Sequence, residues 1–459
     1  MIATALPRSR PSDQQVDARG LLDFLDGVER RGLDLHSLIV VRHGAVVAEG
    51  WWEPYRPDLV HLLYSLSKSF TSTAIGIAQA EGLLSVDDLV LDHFPEEAPA
   101  HPSANLRAMR LRDLLAMASG HEEDTAQRMM AGAPELVRAF LALPPEHAPG
   151  TVFTYNQGCT HTLAVLVSRL SGLSLLEYLR PRLLDPLGID QALWTLAPDG
   201  VEQGYSGLHA TTESVAKLGQ LYLQRGRWQG QQLVPESYVE EATRKHVDNR
   251  TRNSNPDWQQ GYGFQFWRCR GDAFRGDGAF GQLCVVMPPQ DAVVACTAQT
   301  ADMQGELNLV WKHVLPALRD EVRPDQRAER ELAERLAKLA TPRVEGTGAG
   351  PGHAVVFEPE GGTAGLRVIR AEPLEGGIRL SIDHGEGTTE LVAHPGTWTE
   401  GELPAGPNSH SPVAVSAAWN RQRELRCDII YLTTPHRLSL RGVVSAHPRY
   451  QATWVQAPL

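Results

Sequence analysis

A serine three residues ahead of a lysine, in Tyr64-Ser65-Leu66-Ser67-Lys68-Ser69-Phe70, is the pattern in this chain with the clearest chemical content. At the start of a helix that spacing sets both side chains on one face, one turn apart, with the amine in reach of the hydroxyl. The helix N-terminus adds partial positive charge and free N–H groups. The residues that follow (Phe70, Ala74, Ile75, Ile77, Ala78) are apolar almost all round, which predicts a buried helix over residues 65–81, ending at Gly82. A buried lysine must be paired or neutral, and a neutral amine beside a serine activates it for nucleophilic attack. The same spacing recurs at Ser214-Val215-Ala216-Lys217. There the helix predicted over 211–224 is amphipathic, and Ser214 and Lys217 fall off its stripe of Val215, Leu218, Leu221 and Tyr222, so a solvated face is expected.

Two further segments carry suitable groups. In Phe153-Thr154-Tyr155-Asn156-Gln157-Gly158, Tyr155 is a candidate proton shuttle if a nearby ammonium lowers its pKa. Asn156 and Gln157 offer amide donors and acceptors to a substrate carbonyl or to Lys68. A tyrosine before a helix is also an ordinary packed aromatic. In Phe274-Arg275-Gly276-Asp277-Gly278-Ala279-Phe280-Gly281-Gln282 the glycines allow backbone to approach a ligand closely. An N–H from that edge, with the N–H of Ser65, would form an oxyanion hole; an ordinary glycine turn between strands fits the same residues. His209, after the glycine-bearing turn 204–207, and Tyr262, heading the run Tyr262, Phe264, Phe266 and Trp267, are further candidates for the substrate pocket. Their plainer readings are a loop histidine and a core-facing strand edge.

Competing chemistries find little support. Gly204-Tyr205-Ser206-Gly207-Leu208 misses G-x-S-x-G at its last position, and Walker A, G-x-G-x-x-G before a helix and H-E-x-x-H are absent. Seventeen histidines are spread without metal-ligand spacing. No metal or organic cofactor is expected. The formal charge of −12 repels phosphate backbones, which argues against nucleic acid as a partner. No apolar run reaches the roughly 18 residues that span a bilayer, and the first eighteen residues lack the core of a signal peptide. Five scattered cysteines without a C-x-x-C pair suit reduced thiols, and the expected location is cytoplasmic.

The elements that must position these groups follow from periodicity. Residues 1–18 read as a loose tail. A helix over 20–31 precedes two β-rich runs, 36–41 and 45–51, joined by the hairpin signal Arg42-His43-Gly44. Helices are also predicted over 111–117 and 160–170. Strands return at 261–268, 281–287 and 292–297, so one sheet is built from both ends of an α/β (α+β) unit spanning 19–340. A charged helix over 324–339 is followed by a Gly/Pro-rich linker, 341–352. Eight short β-like runs then predict a small all-β domain over 353–459, a lipocalin-like barrel or a sandwich.

Taken together and in this order, the motifs resemble the serine β-lactamase and penicillin-binding-protein superfamily. The nearest likeness is to class C β-lactamase-related serine hydrolases: family VIII carboxylesterases, D-aminopeptidases and 6-aminohexanoate-dimer hydrolase. The resemblance runs over residues 20–320. It includes Leu114-Leu115-Ala116-Met117-Ala118-Ser119-Gly120-His121, similar to the family's L-L-x-M-x-S-G segment, and Ser171-Gly172. It implies a mainly antiparallel sheet flanked by helices, with an all-helical lobe beside it. It also implies roles: Ser65 as nucleophile, Lys68 as general base, Tyr155 as proton shuttle, and the N–H groups of Ser65 and Ala279 as oxyanion donors.

Two departures from the family pattern bear on substrate. Where β-lactamases have Y-x-N, the third position here is Gln157, with Asn156 one place earlier. Where they carry K-T-G or H-x-G, this chain has Gly276-Asp277-Gly278, and Arg275 is a strand neighbour expected on the other face. The group that grips a β-lactam carboxylate is missing, and Asp277 would repel one. Hydrolysis of a small ester, amide or D-amino-acid peptide through an acyl-Ser65 intermediate is expected, with weak or no β-lactamase activity. Two alternatives stay open: an amide-forming acyltransferase or peptide cyclase on the same site, and a non-catalytic acyl-binding sensor.

Overall fold

A computed structural model describes residues 5–250, 254–346, 350–361, 364–385, 387–406 and 409–459. Helix α1 (Ala18–Arg31) leads into β1 (Leu35–Arg42) and β2 (Ala45–Trp51), which turn at His43 and Gly44, both with positive φ. The chain then leaves the sheet for α2 (Ser67–Ala80), the helical lobe with α3 (Gln157–Ser171), and α4 (Thr212–Leu223). It returns as β3 (Trp267–Arg268), β4 (Phe274–Gly278), β5 (Gln282–Met287) and β6 (Ala292–Ala298), before α5 (Met303–Leu309) and α6 (Gln326–Leu336). The six strands form one antiparallel sheet in the order β2-β1-β6-β5-β4-β3.

Why these residues form that sheet is plain at its centre. Ile39, Val40 and Val41 of β1 and Val293, Val294 and Ala295 of β6 are β-branched or small and fully buried. Strands covered on both faces read as unbroken apolar runs, and each buried Val or Ile contributes about 1.5–3 kcal/mol. Helix α4 lies on the sheet, where Gly219 leaves no room for a Cβ against Val293 and Cys284. Helix α2 runs through the middle of the unit, buried over almost its whole length.

Several expectations are corrected. Residues 5–18 are not a loose tail. Leu6 and Val16 are buried, Ser9 N–H donates to the carbonyl of Val46, and the Leu6 N–H and the Arg8 guanidinium reach Glu213. Beside this segment, where Ala5 lines a groove with them, Ser214 and Lys217 are buried rather than solvated. Residues 261–268 are strand only at Trp267–Arg268. Positive φ at Gly261 and Gln265 bends the rest, so Tyr262, Phe264 and Phe266 enter the core from a folded loop.

Among the described residues beyond α6 lie nine strands: β7 (Val355–Pro359), β8 (Val368–Leu374), β9 (Gly377–Asp383), β10 (Thr388–Ala393), β11 (Thr399–Gly406), β12 (Ser409–Trp419), β13 (Glu424–Tyr431), β14 (Arg437–Val443) and β15 (Arg449–Trp454). Eight were expected; β11 carries two glycines, a proline and two glutamates, which disguise it. The sheet runs β10-β9-β8-β7-β15-β14-β13-β12-β11, antiparallel except for β7–β15, and curls into a nearly closed barrel with its own core. Tyr55 packs with Ala414, Ile430 and Leu432 where the two units meet. Asp34 pairs with Arg437 there at 2.9 Å.

Candidate active site

Ser65 sits in a single 3-10 turn, Tyr64–Leu66, that feeds directly into α2. The turn is pinned from one side: Leu63 N–H donates to the carbonyl of Leu208, and Leu208 N–H donates to Ser67 Oγ. One helical turn on, Lys68 is 1% exposed. Its Nζ donates to Ser65 Oγ at 3.0 Å, Gln157 Oε1 at 2.7 Å and the carbonyl of Tyr205 at 2.7 Å. All three ammonium protons are therefore accounted for. Burial pushes the Lys68 amine down to about 7, against the pull of the Asp124 and Asp277 carboxylates. Near neutral pH this amine exists in both protonation states.

The loop before α3 is built by the 114–121 segment. Thr154 N–H donates to the carbonyl of Met117, and Asn156 N–H to its sulfur. Asn156 does not face the pocket. It is wholly buried, caps α3 through Gly158 N–H, and accepts from the Thr125 hydroxyl at 2.7 Å. Gln157, the next residue, instead presents its carbonyl to Lys68. Tyr155 lines the same cavity as Ser65, and its ring lies 4.7 Å from Lys68 Nζ. The expected lowering of its pKa does not occur: burial and the Asp277 carboxylate push the phenol up. Tyr155 is a protonated donor at neutral pH.

Strand β4 closes the other side. A Cβ on Gly276 would meet Ser69 Oγ at 2.6 Å, and one on Gly278 would meet the Leu63 carbonyl at 2.0 Å. Only glycine lets the strand lie flush against the turn that carries Ser65. On the alternate positions Arg275 and Asp277 form a buried pair, Nε to Oδ2 at 2.9 Å. Arg275 is further held over the Trp258 ring at 4.3 Å. Asp277, expected to repel a substrate carboxylate, thus has its charge answered from behind.

These groups open on a cavity of about 620 Å³. Ser65, Tyr155, Gln157, Asp277, Gly278 and Ala279 line it; Phe153, Trp258, Trp267 and Met303 give it an apolar wall; Glu122, Glu123 and Asp124 add acidic groups. Besides Asn156, two predicted residues lie elsewhere. Tyr262 is buried behind the wall, 5.3 Å from Phe153 and 4.8 Å from Trp267 by ring centroid. His209 pairs with Leu62 and Leu193 in a small separate sheet. Sequence reading missed Asp124, Trp258, Met303 and Leu459 at the cavity, and the Tyr205 carbonyl beneath it. It also missed Gln265, whose side chain ties Thr160 of α3 to the carbonyls of Leu114 and Leu115 while its own carbonyl accepts from Ser69 of α2. Among the described residues no three His, Cys, Asp or Glu side chains converge as metal ligands, and no single helix is long and apolar enough to cross a membrane.

One family model, Beta-lactamase, matches residues 25–319, the span that holds this serine-bearing turn, buried lysine and glycine strand. The chain belongs to the beta-lactamase family. It is 26% identical over 281 residues to the 6-aminohexanoate-dimer hydrolase of Paenarthrobacter ureafaciens, covering 56% of this chain and 71% of that protein. It is 29% identical over 182 residues to the D-aminopeptidase of Brucella anthropi, covering 36% of this chain and 33% of that protein. Among solved structures, the octameric penicillin-binding protein homologue from Pyrococcus abyssi superposes with a TM-score of 0.52 at 17% identity, over 90% of this chain and 98% of that one. That last likeness is one of fold, and it extends past the beta-lactamase match into the C-terminal barrel.

Proposed function

We propose that this protein hydrolyses a small ester, amide or peptide through an acyl-Ser65 intermediate. The observation that carries the reading is the 3.0 Å contact between Ser65 Oγ and a buried Lys68 whose amine is held near pKa 7. In its neutral form Lys68 takes the Ser65 proton as Oγ bonds to the substrate carbonyl carbon, and the carbonyl electron pair moves onto oxygen. The N–H groups of Ser65 and Ala279 receive that oxyanion. Tyr155, protonated and beside Ser65 in the cavity, gives its proton to the leaving oxygen or nitrogen as the bond to carbon breaks, and recovers one from Lys68. Water then attacks the acyl carbon by the reverse sequence, returning Ser65 as the free hydroxyl. Gln157 orients the Lys68 amine throughout.

The cavity's chemistry bears on substrate. Among the described residues that line it there is no lysine or arginine, and four are Asp or Glu. A substrate carboxylate finds no cation to bind, which disfavours β-lactams, whereas neutral or amine-bearing acyl groups meet aromatic walls and acidic side chains. That polarity favours aminoacyl esters and amides, in keeping with relatives named D-aminopeptidase and 6-aminohexanoate-dimer hydrolase.

A panel of p-nitrophenyl esters, D- and L-aminoacyl anilides and nitrocefin, read by turnover and by mass on Ser65, tests this. Turnover of esters or anilides with the acyl mass on Ser65 is expected, with nitrocefin slow. Label on another residue refutes the assignment. A permanent acyl-Ser65 without turnover marks an acyl-binding protein, and amide products on adding amines mark an acyltransferase.

A further inference from the structure

We infer that His436 of the C-terminal barrel is a positioning residue for the oxyanion hole, acting through Tyr64 and Phe280. The inference rests on the acyl-Ser65 reading above, which places the oxyanion between the N–H groups of Ser65 and Ala279. Tyr64 precedes the first donor and has φ +47; Phe280 follows the second and has φ +68. Residues with a Cβ rarely adopt this left-handed region, and they hold it only where the surroundings over-determine it. Both donors are thus aimed by neighbours in an unfavourable backbone state.

The surroundings are one aromatic cluster completed from the barrel. The Tyr64 and Phe280 rings meet edge to face at 5.4 Å. The His436 ring stands edge-on to both, at 5.9 Å from Tyr64 and 5.6 Å from Phe280. His436 Nε2 lies 2.6 Å from the Tyr64 hydroxyl, and Nδ1 lies 2.9 Å from the carbonyl of Gln456. A carbonyl only accepts, so Nδ1 carries the proton and Nε2 accepts from Tyr64. The same turn of the barrel grips the chain again, with Leu62 N–H donating to the carbonyl of Thr433 at 2.8 Å. On the far side Gln282 Nε2 holds the carbonyl of Ala279 at 2.9 Å. The barrel thus reaches both donors without contributing either.

The test uses the full-length protein with His436→Leu, His436→Gln and Tyr64→Phe. Glutamine keeps an acceptor near the position of Nε2; leucine does not. With an activated ester, His436→Leu is expected to lower kcat about tenfold or more with KM within about threefold, Tyr64→Phe to fall between, and His436→Gln to recover most of the rate. A phenylboronic acid, whose tetrahedral adduct on Ser65 fills the oxyanion site, should weaken in step with kcat. Amide hydrogen exchange of peptides covering 62–66 and 278–282 should quicken in His436→Leu and return in His436→Gln, a readout independent of any activity. Unchanged exchange in both segments overturns the inference. So does a loss of kcat that only tracks the melting temperature, or one that glutamine leaves unrepaired. If the unaltered protein never acylates Ser65, the functional reading fails, while exchange still decides the clamp.

Discussion

Two helix entries in this protein carry Ser-x-x-Lys, and both lysines are buried, yet they differ in what the lysine faces. Lys68 donates to Ser65 Oγ and stands under an open cavity. Lys217 turns from its serine to the carbonyl of Gly188 at 2.9 Å, with Glu213 3.9 Å away. Ser214 is occupied with the cap of α4, its Oγ 2.8 Å from the Thr211 hydroxyl. The difference begins in the backbone. Ser65 lies in a 3-10 turn ahead of its helix, whereas Ser214 lies inside the first turn of a helix capped by Thr211. Spacing brings a serine and a lysine to one helix face; only an uncapped entry and an empty space beside it free that pair for chemistry.

The sharpest way to break the comparison is to delete each serine. Ser65→Ala should cut turnover roughly a thousandfold or more, with no acyl mass retained on the protein. Ser214→Ala should leave kcat within about twofold and cost about 1 kcal/mol or less in chemical denaturation, the scale of a weakened cap. Equal loss from both would dissolve the distinction.

The lysines come next. Lys68→Met should lower kcat/KM by about 10²–10⁴, while Lys217→Met, similar in volume, should keep activity. The pH profile carries the sign. Burial lowers the Lys68 amine from 10.5 to about 7, and the neutral amine is the base. Activity should therefore rise about tenfold per pH unit up to about 7 and then level. The same limb should persist in Lys217→Met. A limb in the opposite direction would show that the charged amine is the active form.

Gln157 sharpens the account of why the two lysines differ. Its carbonyl stabilises the charged form of Lys68 at 2.7 Å. Gln157→Leu removes that acceptor, so the amine pKa should fall further and the rising limb should move to lower pH. The maximal rate should fall about tenfold as the amine loses its orientation. Movement of the limb to higher pH would mean that Gln157 does not accept from the ammonium.

How much of this was legible before the fold was known depends on distance along the chain. Ser65, Lys68 and the helix that buries them stand within one apolar window, so periodicity alone exposes them. Gly278 is marked by the glycines around it, and Tyr155 by its place before a helix beside two amide side chains. The groups that were not legible arrive from afar: Trp258 behind Arg275, Tyr205 beneath Lys68, and His436 from 372 residues beyond Tyr64. Gln265 was hidden differently. Its run alternates like a strand, and only the positive φ at that residue turns its amide toward Leu114, Leu115 and Thr160. The same limit explains the N-terminal segment: its polar, proline-bearing sequence conceals that Leu6 and Arg8 have a specific partner in Glu213.

That segment supplies the gentlest test. Arg8 bridges Glu213 and Glu49, each at 2.8 Å, with its side chain 40% exposed. Ion pairs this open contribute about 1 kcal/mol or less, so Arg8→Ala should shift stability only slightly and leave kcat unchanged. Its effect should instead be local. Glu213 loses its closest cation, and the N-terminal segment loosens from α4 near Lys217, whereas Lys68 lies apart from it under the cavity. Labelling with a small amine-reactive reagent should rise at Lys217 in Arg8→Ala and stay constant at Lys68, read by peptide mass. A parallel rise at both lysines would mean that the N-terminal segment supports the whole unit, and that burial of the second pair is not set by this cover alone.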